Sequence, residues 1–120
     1  MSEIPKDAQQ MFMQLQTYQQ QLQSILTQKE NLKMQQMEIE RASEEVEKTK
    51  SQDVYRLSGP ILIKSTKAEI KKDMDEKKEL ISTRIKTLER SEKTVKEKLD
   101  GFREKLNNSL GGESGASGGG

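Results

Sequence analysis

The chain has 120 residues, 30% of them hydrophobic, 3% aromatic and 34% charged, with 21 basic and 20 acidic side chains giving a net charge of +1. That is too little apolar material for a compact globular core, so the chain is a single long-helix domain at most or disordered, and periodicity decides between the two. Interspersed charges exclude a strongly basic face for nucleic acid, and the absence of cysteine excludes disulfides and thiolate metal sites.

Pro5, with Ser2 and Asp7 beside it, reads as a helix start, and a helix is expected over residues 6–50. With Met11 as a heptad d position, the following d positions are Tyr18, Ile25, Leu32, Ile39 and Val46, all apolar, which is the signature of a coiled coil. The a positions change character along the way: Ala8, Leu15 and Leu22 are apolar, whereas Lys29, Gln36, Ser43 and Lys50 are polar. Between them lie many glutamines, good helix formers that read as a neutral solvated face.

Val54 to Lys64 alone has strand character, with β-branched and aromatic residues on both sides of Ser58-Gly59-Pro60. The expected hairpin runs from Val54 to Leu57, turns at Ser58 to Pro60, and returns from Ile61 to Lys64. Gly59 takes the positive φ of a tight turn, and Pro60 suits the first strand position or an outer edge. A lone two-stranded hairpin is marginal in water, and this one leaves apolar side chains bare on both faces, so it needs strands from other chains.

Ser65 or Thr66 caps a second helix, expected over 67–109, with Glu69 as the capping acid. Met74, Ile81, Leu88, Val95 and Phe102 hold d, while Lys71, Lys78, Ile85, Glu92, Leu99 and Leu106 hold a. Folding back about Ser58 and Gly59 makes a and d positions face one another: Met11 meets Leu106, Leu15 meets Phe102, Tyr18 meets Leu99, Leu22 meets Val95 and Val46 meets Lys71. The fold class expected is therefore mainly α, a long antiparallel two-helix coiled coil with one β-hairpin between the helices. The fully apolar layers gather at the end far from the hairpin, where Phe12 and Met13 stand off the seam. Residues 111–120, rich in Gly and Ser, cannot bury anything and read as a flexible tail.

No chemistry of catalysis is expected. There is no histidine, cysteine or tryptophan, and acid–base pairs such as Asp75 with Lys78 read as surface ion pairs. No enzyme activity, cofactor or metal is expected. Lys71-Lys72 and Lys77-Lys78 are too short and too interrupted by acids for a nucleic-acid site. No apolar run approaches the roughly 18 residues of a membrane span. Met1 to Gln10 lacks a signal-peptide layout, so a soluble, cytoplasmic chain is expected.

The glutamine-rich run from Leu15 to Gln23, the segment from Val54 to Lys64 and the run from Lys86 to Arg90 together resemble the prefoldin beta-type subunit, particularly its archaeal form. The match covers roughly residues 4 to 110 and is specific in the hairpin segment; its single hairpin is the beta-type mark. The resemblance implies a hexamer of two alpha-type and four beta-type subunits, whose hairpins build an intersubunit β-barrel and whose coiled-coil tips hold non-native polypeptides without ATP for transfer to a group II chaperonin. It assigns Val54, Tyr55, Leu57, Ile61, Leu62 and Ile63 to subunit assembly, and Ile4, Met11, Phe12, Met13, Leu106 and Leu110 to client contact. The rival reading is a structural coiled-coil tether or adaptor, which predicts a simple dimer or tetramer without affinity for unfolded chains.

Overall fold

The structure, a computed structural model, describes residues 5–110, with side chains described through residue 108. Ile4 and the tail at 111–120 lie outside the described residues. The element order is α1 (Lys6–Lys48), β1 (Asp53–Ser58), β2 (Ile61–Thr66) and α2 (Lys67–Leu110).

Helix α1 opens with the Gln9 N–H donating to the Pro5 carbonyl at 2.9 Å and with Asp7 in its first turn, where an acid favours the helix dipole. It ends at Lys48, two residues earlier than expected. Local side-chain bonding explains the stop: the Asp53 N–H donates to the Ser51 hydroxyl at 3.2 Å, and that hydroxyl donates to the Asp53 carbonyl at 3.0 Å. Serine offers the backbone an alternative to helical bonds. The Thr49 carbonyl, orphaned at the helix end, accepts from the Lys67 ammonium at 2.7 Å.

The two strands pair antiparallel from Asp53↔Thr66 to Ser58↔Ile61, so each is longer than expected. The loop is just Gly59-Pro60. Gly59 has φ +57° and no other described residue has positive φ. A positive φ followed by the negative φ that proline fixes is the type II′ pattern, whose twist matches the strands and lets pairing run up to the loop. Pro60 therefore sits within the turn, not at the head of a strand. β2 runs straight into α2, with Thr66 as the cap: its hydroxyl accepts the Glu69 N–H at 3.2 Å, while the Glu69 carboxylate accepts from the buried Ser65 hydroxyl at 2.8 Å.

The chain divides into two compact units, residues 29–87 and the remainder. In the hairpin-bearing unit the buried apolar residues are Met74, Ile81 and Ile85, with Leu32, Ile39 and Val46 of α1 half-buried. Lys78 shows how a lysine sits at an a position: its side chain is 26% exposed and its ammonium reaches Glu40 at 3.5 Å, so the stem covers the seam and the charge leaves it. Its partner is thus Glu40 across the pair, not Asp75. Lys71 was expected at an a position facing Val46. It stays outside, paired with Glu47 at 2.6 Å, and Ile70 is the half-buried residue in its place. The hairpin sets this change of phase, because α2 leaves β2 without a loop and its first turn must follow the strand.

In the other unit, Ile25, Val95 and Leu99 form the core with Leu15, Tyr18, Leu22 and Leu88 packed against them. Tyr18 and Phe102 stack with ring centroids 5.5 Å apart. Residues 8–28 of α1 carry no charged side chain, and in this part of α2 Lys96 pairs with Glu92 at 2.7 Å and Arg103 with Asp100 at 4.0 Å along the helix itself.

Candidate functional site

Alternation along the strands gives the hairpin two unlike faces. Val54, Arg56, Ile63 and Ser65 share one face. It is tied to α2: Arg56 meets Asp73 at 2.6 Å, Ser65 bonds Glu69, and Val54 is half-buried. Tyr55, Leu57 and Leu62 share the other face and stand in solvent, Leu57 at 71% exposure. An ion pair at 3.4 Å between Lys64 and Asp53 flanks them. Ile61, beside the turn, is also exposed, and Ile63 is the least exposed of the hairpin's large apolar side chains that stand in solvent.

The pair that closes a two-residue turn is hydrogen-bonded, so bonded and non-bonded pairs alternate from Ser58↔Ile61 outward. The N–H and C=O groups of Tyr55 and Leu57 point off one edge and those of Leu62 and Lys64 off the other. Among the described residues no third strand meets either edge. Open edges and bare apolar side chains thus lie on the same few residues, a surface that another strand could both pair with and cover.

At the N-terminal end of α1, the sequence-expected contact residues separate. Met13 is 68% exposed and Phe12 is exposed, whereas Met11 is half-buried in the seam and Leu106 is buried, with 8% exposure. Leu106 therefore sits in the helix pair at the a position the heptad gives it, sealed by the helix opposite. Ile4 lies outside the described residues, as does the Leu110 side chain. Four exposed apolar residues were not singled out from the sequence: Leu26, Met34, Met37 and Leu80. Leu26 occupies an e position like Phe12 and was legible in that way; the others lie off the a/d/e register.

Among the described residues no three His, Cys, Asp or Glu side chains are grouped to hold a metal ion. No helix there is long and apolar enough to cross a membrane. What the arrangement offers is noncovalent: a strand-pairing apolar surface in one unit and exposed apolar side chains in the other.

Comparison with known proteins agrees with this geometry. The family model described as "Prefoldin subunit" matches residues 9–113. The prefoldin subunit beta of Methanococcus maripaludis is 51% identical over 109 residues, covering 91% of this chain and 96% of that protein. The prefoldin subunit beta of Archaeoglobus fulgidus is 38% identical over 116 residues, covering 96% of this chain and all of that protein. Among solved structures, the prefoldin beta subunit from Thermococcus strain KS-1 superposes with a TM-score of 0.82 at 34% identity, covering 92% of this chain and 97% of that one. The beta2 subunit from the same strain gives 0.66 at 26% identity, covering 73% and 95%.

Proposed function

This chain belongs to the prefoldin subunit family, and from that premise we propose that it is a beta-type subunit of a hexamer with two alpha-type and four beta-type members. The hexamer works in the cytoplasm as an ATP-independent holdase, not an enzyme, and passes non-native polypeptides to a group II chaperonin. Hairpins of neighbouring subunits join edge to edge through Val54, Tyr55, Leu57, Ile61, Leu62 and Ile63 into an intersubunit β-barrel. The observation that carries this reading is the coincidence of open strand edges with the bare side chains of Tyr55, Leu57 and Leu62. Burying such side chains stabilises association at roughly 25 cal/mol per Å² of apolar area.

Client contact falls first to Phe12 and Met13, which already stand in solvent. Met11 and Leu106 join them where the helix ends part, with Ile4 and Leu110 as the remaining contacts. A flexible thioether beside an aromatic ring adapts to many apolar partners, and weak contacts sum over several tips.

The test is solution mass with and without an alpha-type partner, together with suppression of aggregation of a denatured protein. A hexamer that suppresses aggregation supports the reading. A simple dimer or tetramer without suppression replaces it with the tether. Removing residues 1–13 abolishes suppression and leaves the mass unchanged; deleting Val54 to Lys64 breaks the oligomer first.

A further inference from the structure

A groove with a mostly apolar floor and cations on its rim runs beside the seam of the unit that holds the Ile25–Val95–Leu99 core. Its α1 wall is Tyr18, Gln21, Ser24 and Ile25; its α2 wall includes Arg90, Lys98 and Lys105, with Gly101 between the two lysines. Tyr18 and Lys98 line both of its stretches. No carboxylate lines it: the acids Glu97, Asp100 and Glu104 of the same part of α2 are not among its lining residues. Nor does α1 supply one, since residues 8–28 are uncharged. Arg90, Lys98 and Lys105 have no ion pair among the described residues.

The two lysines are held in place without being neutralised. Lys98 Nζ lies 5.4 Å from the Tyr18 ring centroid and Lys105 Nζ lies 5.9 Å from that of Phe102. A ring attracts an ammonium through its quadrupole and leaves the full positive charge facing solvent. Gly101 keeps the floor between them open, since a Cβ there would meet nothing within 4 Å.

We propose that this groove binds acidic segments of polypeptide, in extended form, with carboxylates on Arg90, Lys98 and Lys105 and an apolar side chain over Gly101 against the Tyr18–Phe102 stack. The helical rise puts Lys98 and Lys105 roughly 10 Å apart and Arg90 and Lys98 roughly 12 Å apart. An extended peptide covers these spans in about three to four residues, so carboxylates at that spacing meet successive cations. A nucleic-acid strand fits less well, because three cations over roughly 22 Å leave most of its phosphates unneutralised. This inference rests on the holdase reading and adds a charge preference to what the distal unit holds.

The experiment uses the full chain and two labelled short peptides with identical Phe and Leu content, one with glutamate and the other with lysine at every fourth position, read by fluorescence anisotropy. The glutamate peptide binds more tightly by about fivefold, the factor that two or three exposed ion pairs supply. Arg90→Gln with Lys98→Gln and Lys105→Gln removes the difference, and Lys98→Glu with Lys105→Glu reverses it. Lys86→Glu with Lys93→Glu makes the same change in net charge outside the groove and leaves the preference in place; circular dichroism verifies that every variant is helical. Equal binding of the two peptides by the wild-type chain overturns the groove, as does loss of preference in the Lys86/Lys93 control. A single-stranded oligonucleotide that binds more tightly than the glutamate peptide assigns the groove to phosphates and overturns the proposal. Aggregation suppression is scored separately: its absence together with a glutamate preference sinks the holdase reading alone, and its presence with equal peptide binding sinks the groove alone.

Discussion

Arg56 of β1 and Asp73 of α2 meet at 2.6 Å between Nη1 and Oδ2, and this contact orients the hairpin so that Tyr55, Leu57 and Leu62 face away from the helix. The side chains are 51% and 41% exposed, so the pair contributes to orientation more than to stability. Asp73→Asn costs roughly 0.2–1 kcal/mol. Its larger effect is on hydrogen exchange of the strand amides, which speeds up while helical content stays constant. Unchanged exchange would show that the pair does not orient the sheet.

Gly59→Ala costs about 1–2 kcal/mol, because an L-residue is strained at positive φ. The cost is conformational alone, since an added Cβ meets nothing within 4 Å. A D-alanine at that position, made by chemical synthesis, restores the wild-type melting temperature. Equal destabilisation by both alanines would mean that a clash is responsible.

Leu99, with 2% exposure, is the centre of the distal core, and Leu99→Ala lowers unfolding free energy by about 2–5 kcal/mol. Phe12→Ser with Met13→Ser, both at exposed positions, changes it by about 1 kcal/mol or less. The two sets reverse order in the aggregation assay at a temperature where all variants are folded: the exposed pair loses suppression and Leu99→Ala keeps it. Denaturant titration alongside light scattering reads both quantities.

Lys71 beside Glu47, through their hydrogen bond first and their charges second, holds the Glu47 carboxyl below its ordinary value of 4.5 and raises the Lys71 ammonium above 10.5. The lowered acid contributes fully above its unfolded value and loses that contribution as pH falls through the folded one. The raised base contributes fully below its unfolded value and loses that as pH rises through the folded one. Wild type therefore melts slightly above Glu47→Gln between about pH 5 and pH 10, and the two curves converge outside that window. Both groups are well exposed, so the gap is small. A constant gap down to strongly acidic pH would contradict the pairing.

Most of the fold was legible because it repeats. Met11, Leu15, Tyr18 and Leu22, then Leu32, Ile39 and Val46, are half-buried at the positions the heptad assigns. The pattern fails where a different element takes over. A heptad treats the seam as endless, whereas the cap at Thr66 fixes the start of α2 and puts Ile70 where Lys71 was expected. The contact residues were harder to read, because Leu106 satisfies both a seam position and a list of distal apolar residues. The cationic groove was missed for a related reason: its members are common surface lysines, and their significance lies in the absence of charge on the helix opposite.

The uncharged run of residues 8–28 means that the two units answer differently to ionic strength. The hairpin-bearing unit has helix-to-helix bridges from Lys71 to Glu47 and from Lys78 to Glu40, whereas the core around Ile25, Val95 and Leu99 is apolar. Raising salt toward 1 M shrinks the Debye length to about 3 Å and weakens those bridges, while burial of hydrocarbon is left intact. In brine the bridges beside the strands would thus fade while the Ile25–Val95–Leu99 core is untouched, so dissolved salt acts on one unit and spares the other.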